Sequence, residues 1–171
     1  MKGYGIPIYV NDRYPFPKNP PYIPMDNNPV GSYIKKFTLP DNWKDEEIFI
    51  QFGAVKSAAY FWINGNFIGY NQDSKTPVEF RLTEYLIAGE NAIAVQVFRY
   101  SDGSYLECQD FWRLSGIERD VVLIKTPKRR IRDFKINATL ADDYKKGILS
   151  IEIETENAAD CKLTCVITGW H

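Results

Sequence analysis

Ala58-Ala59-Tyr60-Phe61-Trp62-Ile63, then Asn64-Gly65, then Asn66-Phe67-Ile68-Gly69-Tyr70 is the stretch that decides the fold. Two runs rich in aromatic and branched residues flank a pair that tolerates positive φ at both positions, which predicts a β-hairpin with a two-residue turn. Tyr60 and Trp62 lie on the opposite face of the first strand from Phe61, so part of this aromatic set belongs to a core. The alternative use is a platform for stacking sugar rings.

The same punctuation recurs on either side of the hairpin. Strands are predicted over residues 32–39, 47–52, 58–63, 66–70, 78–82, 91–100 and 119–126. Ile93, Val95 and Val97 alternate with Ala92, Ala94 and Gln96, the pattern of a strand with one strongly apolar face. Ala88-Gly89-Glu90-Asn91 supplies the turn before it. No segment sustains a helical period over three turns, so the fold class is all-β, a sandwich of antiparallel strands. Before this region, up to Pro29, seven prolines alternate with Tyr9, Tyr14, Phe16 and Tyr22. Proline removes ladder donors, and the segment reads as an extended arm laid across one sheet with its aromatics.

At Thr126-Pro127-Lys128-Arg129-Arg130 the pattern breaks, which predicts a domain boundary, with residues 1–127 in one domain and 128–171 in the next. Beyond it, strands are predicted over 131–140, 148–154 and 162–168. Three strands fall short of a complete immunoglobulin-like sandwich, so the second domain is expected to be incomplete.

Among 171 residues, 44% are hydrophobic and 15% aromatic, which suits a globular chain rather than a disordered one. The net charge of −1 gives no reason to expect a nucleic-acid or membrane partner. No apolar run approaches the roughly 18 residues of a membrane helix, and no signal-peptide core follows Met1. Cys108, Cys161 and Cys165 lack CxxC spacing and read as free thiols. The sequence holds no GxGxxG, GxSxG or histidine pair, and hence no phosphate, serine-nucleophile or metal motif of those kinds.

The run Asp102-Gly103-Ser104-Tyr105-Leu106-Glu107, with Gln109-Asp110-Phe111-Trp112-Arg113 and Ser115-Gly116-Ile117-Glu118-Arg119-Asp120-Val121, has the composition of a site. Gly103 and Gly116 permit tight turns. Asp110 offers a carboxylate that accepts from hydroxyls or binds a hard cation, while Trp112 and Tyr105 offer flat faces to a sugar or a packed neighbour. Asp102 and Glu107 are expected to hold the loop together through backbone amides.

These runs, together with Asn28-Pro29-Val30-Gly31-Ser32-Tyr33 and Gly69-Tyr70-Asn71-Gln72-Asp73-Ser74-Lys75-Thr76-Pro77-Val78-Glu79-Phe80, resemble the N-terminal jelly-roll domain of the β-galactosidases of glycoside hydrolase family 2. The resemblance implies a galactose-binding-like jelly roll, lacking the family's first strand, followed by the first strands of an immunoglobulin-like sandwich. It also implies a parent enzyme that removes terminal β-D-galactose with retention in a separate (β/α)₈ barrel, so that this chain alone is inactive. Asp110 matches a family aspartate that binds galactose hydroxyls and ligates sodium. Asn11, in Tyr9-Val10-Asn11-Asp12, matches a sugar-contacting asparagine. For Asp110 the competing reading is a cap on the following turn. Sodium and magnesium as parent cofactors, the parent's remaining domains as partners, a homo-oligomeric parent and a cytoplasmic location complete what is implied. A stand-alone carbohydrate-binding module and a structural interaction domain are the other readings.

Overall fold

The computed structural model describes residues 8–10 and 13–169. In chain order the strands are β1 (Ile8–Tyr9), β2 (Val30–Thr38), β3 (Glu47–Phe52), β4 (Val55–Lys56), β5 (Ala58–Ile63), β6 (Asn66–Asn71) and β7 (Val78–Arg81). They continue with β8 (Glu90–Phe98), β9 (Trp112–Arg113), β10 (Gly116–Ile117), β11 (Val121–Thr126), β12 (Arg130–Leu140) and β13 (Gly147–Glu156). No α-helix occurs among the described residues, so the all-β reading holds.

Spatial contacts divide the chain into two units, Met1–Lys125 and Thr126–His171. In the first, a four-stranded sheet ordered β2-β8-β5-β6 faces a three-stranded sheet ordered β11-β3-β7. The alternation read in the sequence places Ile93, Val95 and Val97 on the inner face, each 6% exposed or less. Phe61 is fully buried there. Its ring centroid lies 4.7 Å from Phe52 of β3 and 4.7 Å from Phe80 of β7, joining the two sheets. Gly69 of β6 makes room for this contact, because a Cβ at that position would stand 2.2 Å from the Phe80 ring. Tyr60 and Trp62 face outward and pack with Phe67, Tyr70 and Phe98 as a half-exposed aromatic surface.

The predicted hairpin forms with Asn64 at φ 49° and Gly65 at φ 83°. Asn64 also does something turn propensity does not reveal. Its Nδ2 donates to Asn91 Oδ1 at 2.8 Å, and its Oδ1 accepts from Ala92 N at 2.9 Å. Asn91, 1% exposed, spends its own amide on Ile87 O and Gly89 O, so two turns are clasped by satisfied buried amides. The buried Glu47 is held in a forked pair with Arg81, at 2.6 Å to Nε and 3.1 Å to Nη2. Between β2 and β11 the sandwich opens into an apolar cleft of about 720 Å³ lined by Ile34, Phe37, Phe52, Val95 and Leu123 among others.

The second unit consists of the antiparallel pair β12–β13, whose register runs from Arg130↔Glu156 to Leu140↔Gly147. Its turn is closed by Ala141 N donating to Lys146 O at 2.9 Å. The strand predicted over 162–168 does not form, and the stretch has no ladder among the described residues. Its apolar Val166 and Ile167 are about three-quarters exposed, at 76% and 75%. Strand preference depends on a paired neighbour, and this stretch has no ladder partner among the described residues. A second difference lies in the arm, which is not wholly irregular: Ile8 and Tyr9 pair with Arg113 and Trp112.

Phe61→Ala should lower the free energy of unfolding by about 3–5 kcal/mol, because it removes the ring that both sheets share. Denaturant unfolding of this variant beside Tyr60→Ala, which changes the outer face, should show the larger loss for Phe61.

Candidate functional site

The site loop leaves β8 at Arg99 and is fixed to the sandwich by small buried hydroxyls. Ser101, Ser104 and Ser57 are each at most 7% exposed. Ser57 Oγ hydrogen-bonds the Ser101 hydroxyl and stands 3.2 Å from Ser104 Oγ, while Ser101 N donates to Ser104 Oγ at 3.0 Å. This closes a short 3₁₀ turn over Asp102–Tyr105. The buried Arg113 donates to Ser104 O at 3.3 Å from the far side of the loop.

The proline-rich arm is sewn to the same loop. Tyr14 donates to Tyr105 O at 3.0 Å, Tyr105 donates to Tyr22 O at 2.6 Å, and Asn19 N donates to Tyr105 Oη at 3.1 Å. Phe16 is buried against Tyr100 and Tyr105 at 4.9 and 5.4 Å. Tyr105 is therefore a packed neighbour and not a free platform. Asn28 exchanges two hydrogen bonds of 2.9 Å with the Tyr100 backbone, fastening the arm's end.

From Cys108 to Asp110 the chain turns in an unusual way. Both residues occupy the left-handed region, at φ 62° and 54°. Phe111 N donates back to Cys108 O at 3.3 Å. Two non-glycine residues of this kind within three are uncommon, and Asp is among the types that tolerate the region best. The result presents Asp110 outward, exposed, beside the half-exposed rings of Phe111 and Trp112. β1 brings Tyr9 alongside: its hydroxyl donates to Asp110 Oδ1 at 3.2 Å, and its ring lies 5.3 Å from Trp112. The negative charge of Asp110, followed by that hydrogen bond, raises the Tyr9 phenol above its ordinary pKa. Asn11 lies outside the described residues.

Asp102 behaves as expected in part, accepting from Gly103 N at 2.9 Å and from the Gln72 side chain. Glu107 differs. Its Oε1 accepts not from a backbone amide but from the buried Ser74 hydroxyl at 2.7 Å. A pocket of about 340 Å³ opens here, lined by Lys56, Asp73, Ser74, Lys75, Glu107 and Cys108 among others. Tyr9, Lys56 and Ser74 are site neighbours that the sequence did not single out, since each comes from a distant strand or loop. A signal existed only for Tyr9, two residues before Asn11.

No three His, Cys, Asp or Glu side chains gather in a metal-holding group among the described residues. Asp110 contributes one carboxylate. That suits a share in the oxygen shell of a hard, weakly charged cation and does not suit a closed divalent site made by these residues alone. No helix among the described residues is long and apolar enough to cross a membrane.

Residues 1–127 match the family model described as "Glycosyl hydrolases family 2, sugar binding domain". The chain is 49% identical over 161 residues to a "Beta-galactosidase" of Priestia megaterium, covering 92% of this chain and 16% of that protein. It is 45% identical over 170 residues to a "Beta-galactosidase" of Halalkalibacterium halodurans, covering 97% and 17%. It thus spans only about a sixth of the length of these relatives. Among solved structures, a Bacteroides uniformis beta-glucuronidase superposes with a TM-score of 0.65 at 27% identity, covering 76% of this chain and 16% of that one. An uncultured Clostridium sp. beta-glucuronidase gives 0.61 at 30% identity, covering 74% and 24%.

Asp110→Asn should bring the Tyr9 phenol back down toward its ordinary pKa. The neutral amide removes the charge that disfavours phenolate, and NMR titration of the Tyr9 ring checks the direction. A Tyr9 titration unchanged by the substitution would separate the two side chains.

Proposed function

The chain belongs to glycosyl hydrolase family 2 as its sugar-binding domain, and from that premise we propose that it is the N-terminal portion of a β-galactosidase that releases terminal β-D-galactose with retention. The presentation of Asp110 carries this reading: a carboxylate thrown outward by a left-handed turn, on a loop otherwise locked down, between exposed aromatic rings. The choice of galactoside over glucuronide follows the sequence relatives, 45–49% identical, in preference to the structural neighbours at 27–30%.

In this proposal the chain binds and orients sugar while another domain cleaves the bond. Retention needs two facing carboxyl groups about 5 Å apart. The loop presents the outward Asp110 carboxylate, suited to accepting hydroxyl hydrogen bonds, with the Tyr9 phenol among its partners. Asp110 accepts from galactose hydroxyls, and Trp112 or Phe111 covers an apolar sugar face. Asn11, whose amide both donates and accepts, is proposed as a second sugar contact. Asp110 also takes part in holding a sodium ion, which would supply a fixed positive charge near the sugar hydroxyls. Magnesium is proposed for the parent only, because the described residues form no carboxylate group to hold it. We further propose residues 128–171 as the start of an immunoglobulin-like domain, contacts with the parent's remaining domains, a homo-oligomeric parent and a cytoplasmic location.

Asp110→Ala in the full-length enzyme should lower kcat/KM for a β-galactoside roughly ten- to hundredfold. That corresponds to one charged hydrogen bond of about 1.5–3 kcal/mol. Asp110→Asn should keep more of the sugar contact and lose more of the sodium response. Kinetics across a sodium titration test both, and wild-type behaviour at every concentration would reduce Asp110 to a structural residue.

The 171-residue chain alone should turn over no chromogenic β-galactoside, and free galactose should bind it weakly or not at all. Activity scaling with its concentration would overturn the division of labour.

A further inference from the structure

Lys56 ends β4 in the interior, 3% exposed, next to the fully buried Ser57. Its ammonium donates to the Sγ of Cys108, and no carboxylate pairs with it among the described residues. A buried lysine normally meets an acidic partner. Here it is aimed at a thiol. Cys108 is half-buried and lines the 340 Å³ pocket together with Lys56, so both partners border space that a small solute can enter. The left-handed backbone of Cys108 and the turn bond from Phe111 N to Cys108 O fix the backbone from which the sulfur projects. By contrast, Cys161 and Cys165 are exposed in the irregular stretch near the end of the chain.

We propose that Lys56 and Cys108 form a redox modification site, in which a peroxide oxidant joins Nζ to Sγ as a thiol-reversible sulfenamide. The chemistry runs in two balanced steps. Cys108 sulfur attacks the peroxide and breaks its O–O bond, giving the sulfenic acid Sγ–OH and water; sulfur loses two electrons and the peroxide gains them. The Lys56 ammonium first gives one proton to solvent, and its free amine then attacks Sγ, so that the N–S bond forms and the S–O bond breaks. The departing hydroxyl leaves as water with a second proton from the nitrogen. The product is Nζ–H bonded to Sγ, two hydrogens lighter than the neutral amine and thiol. Thiols sit beside lysine where reactivity is wanted, and a sulfenic acid condenses with the nearest competent nucleophile. The bond would fasten the turn that carries Asp110 to β4 and so to the sandwich.

The experiment uses the full chain with Cys161→Ser and Cys165→Ser, because a disulfide between those two would remove the same mass. Stoichiometric hydrogen peroxide should lower the intact mass by two hydrogens. Proteolysis should then yield one peptide pair joined through Lys56 and Cys108, and dithiothreitol should restore the starting mass. Cys108→Ser should abolish the change. Lys56→Arg, which keeps a buried cation without the primary amine, should leave Cys108 carrying added oxygen and no link. Oxygen gained at Cys108 with Lys56 free in the lysine-containing protein would overturn the proposal. So would a Cys108 that stays reduced while a small-molecule thiol in the same tube is oxidised. Both of these outcomes are measured on the protein with Lys56 intact, so they stand even where Lys56→Arg fails to fold.

Discussion

The Phe61 ring, held between Phe52 and Phe80, is the contact on which the rest of the first unit depends. It is the point where the four-stranded and three-stranded sheets meet, and sheets that pack face to face hold each other's strands in register through such inner-face side chains. With Phe61 facing inward, the period of two along β5 places Ala59 and Ile63 inward as well, and sends Tyr60 and Trp62 to the outer face. A shift by one residue would bury Tyr60 and Trp62 and expose Phe61. The outer aromatic surface is thus a consequence of the core and does not require a ligand to explain it.

From β5 the constraint passes to the site through polar contacts. Ser57 lies one residue before β5, and its hydroxyl meets those of Ser101 and Ser104 in the loop. Hydroxyls are small enough to sit where three segments converge, and each both donates and accepts, so the cluster is satisfied without a charge. The loop is therefore rigid at its root. The arm adds a second restraint through Tyr14, Tyr22 and Tyr105, leaving Cys108 to Trp112 as the part that projects. Binding geometry on a loop needs this kind of support, since a misplaced carboxylate forfeits the orientation it was to provide.

How far the sequence can be read follows from the range of the forces involved. The Asn64-Gly65 turn and the alternation of Ile93, Val95 and Val97 are legible because turn chemistry and face burial act over a few residues. The ladder expected at 162–168 is absent for the complementary reason: Val166 and Ile167 have strand-like side chains, but a strand exists only with a paired neighbour. The pairing of Ile8-Tyr9 with Trp112-Arg113 is hidden because it spans most of the first unit and is only two residues long. Asp110 stands out by its motif and Tyr9 does not, though the structure makes them one unit. Nothing in the sequence marks Lys56, and only the fold reveals it as buried against Cys108.

The Tyr9–Asp110 pair shows how the loop and the arm share one electrostatic arrangement. Asp110 raises the Tyr9 phenol further above its ordinary pKa by disfavouring phenolate, so the hydroxyl stays a donor to higher pH than an isolated tyrosine would. A phenol that donates to one carboxylate oxygen leaves the rest of that carboxylate's lone pairs directed elsewhere. The exposed Asp110 is thus oriented by a neutral neighbour and keeps its charge unneutralised by that neighbour. A lysine or arginine in the place of Tyr9 would orient the group equally well but would set a positive charge against the carboxylate. A phenol at this position adds a hydrogen bond to the carboxylate without adding a charge of its own, which ties the arm to the loop and leaves the sign of the local field unchanged.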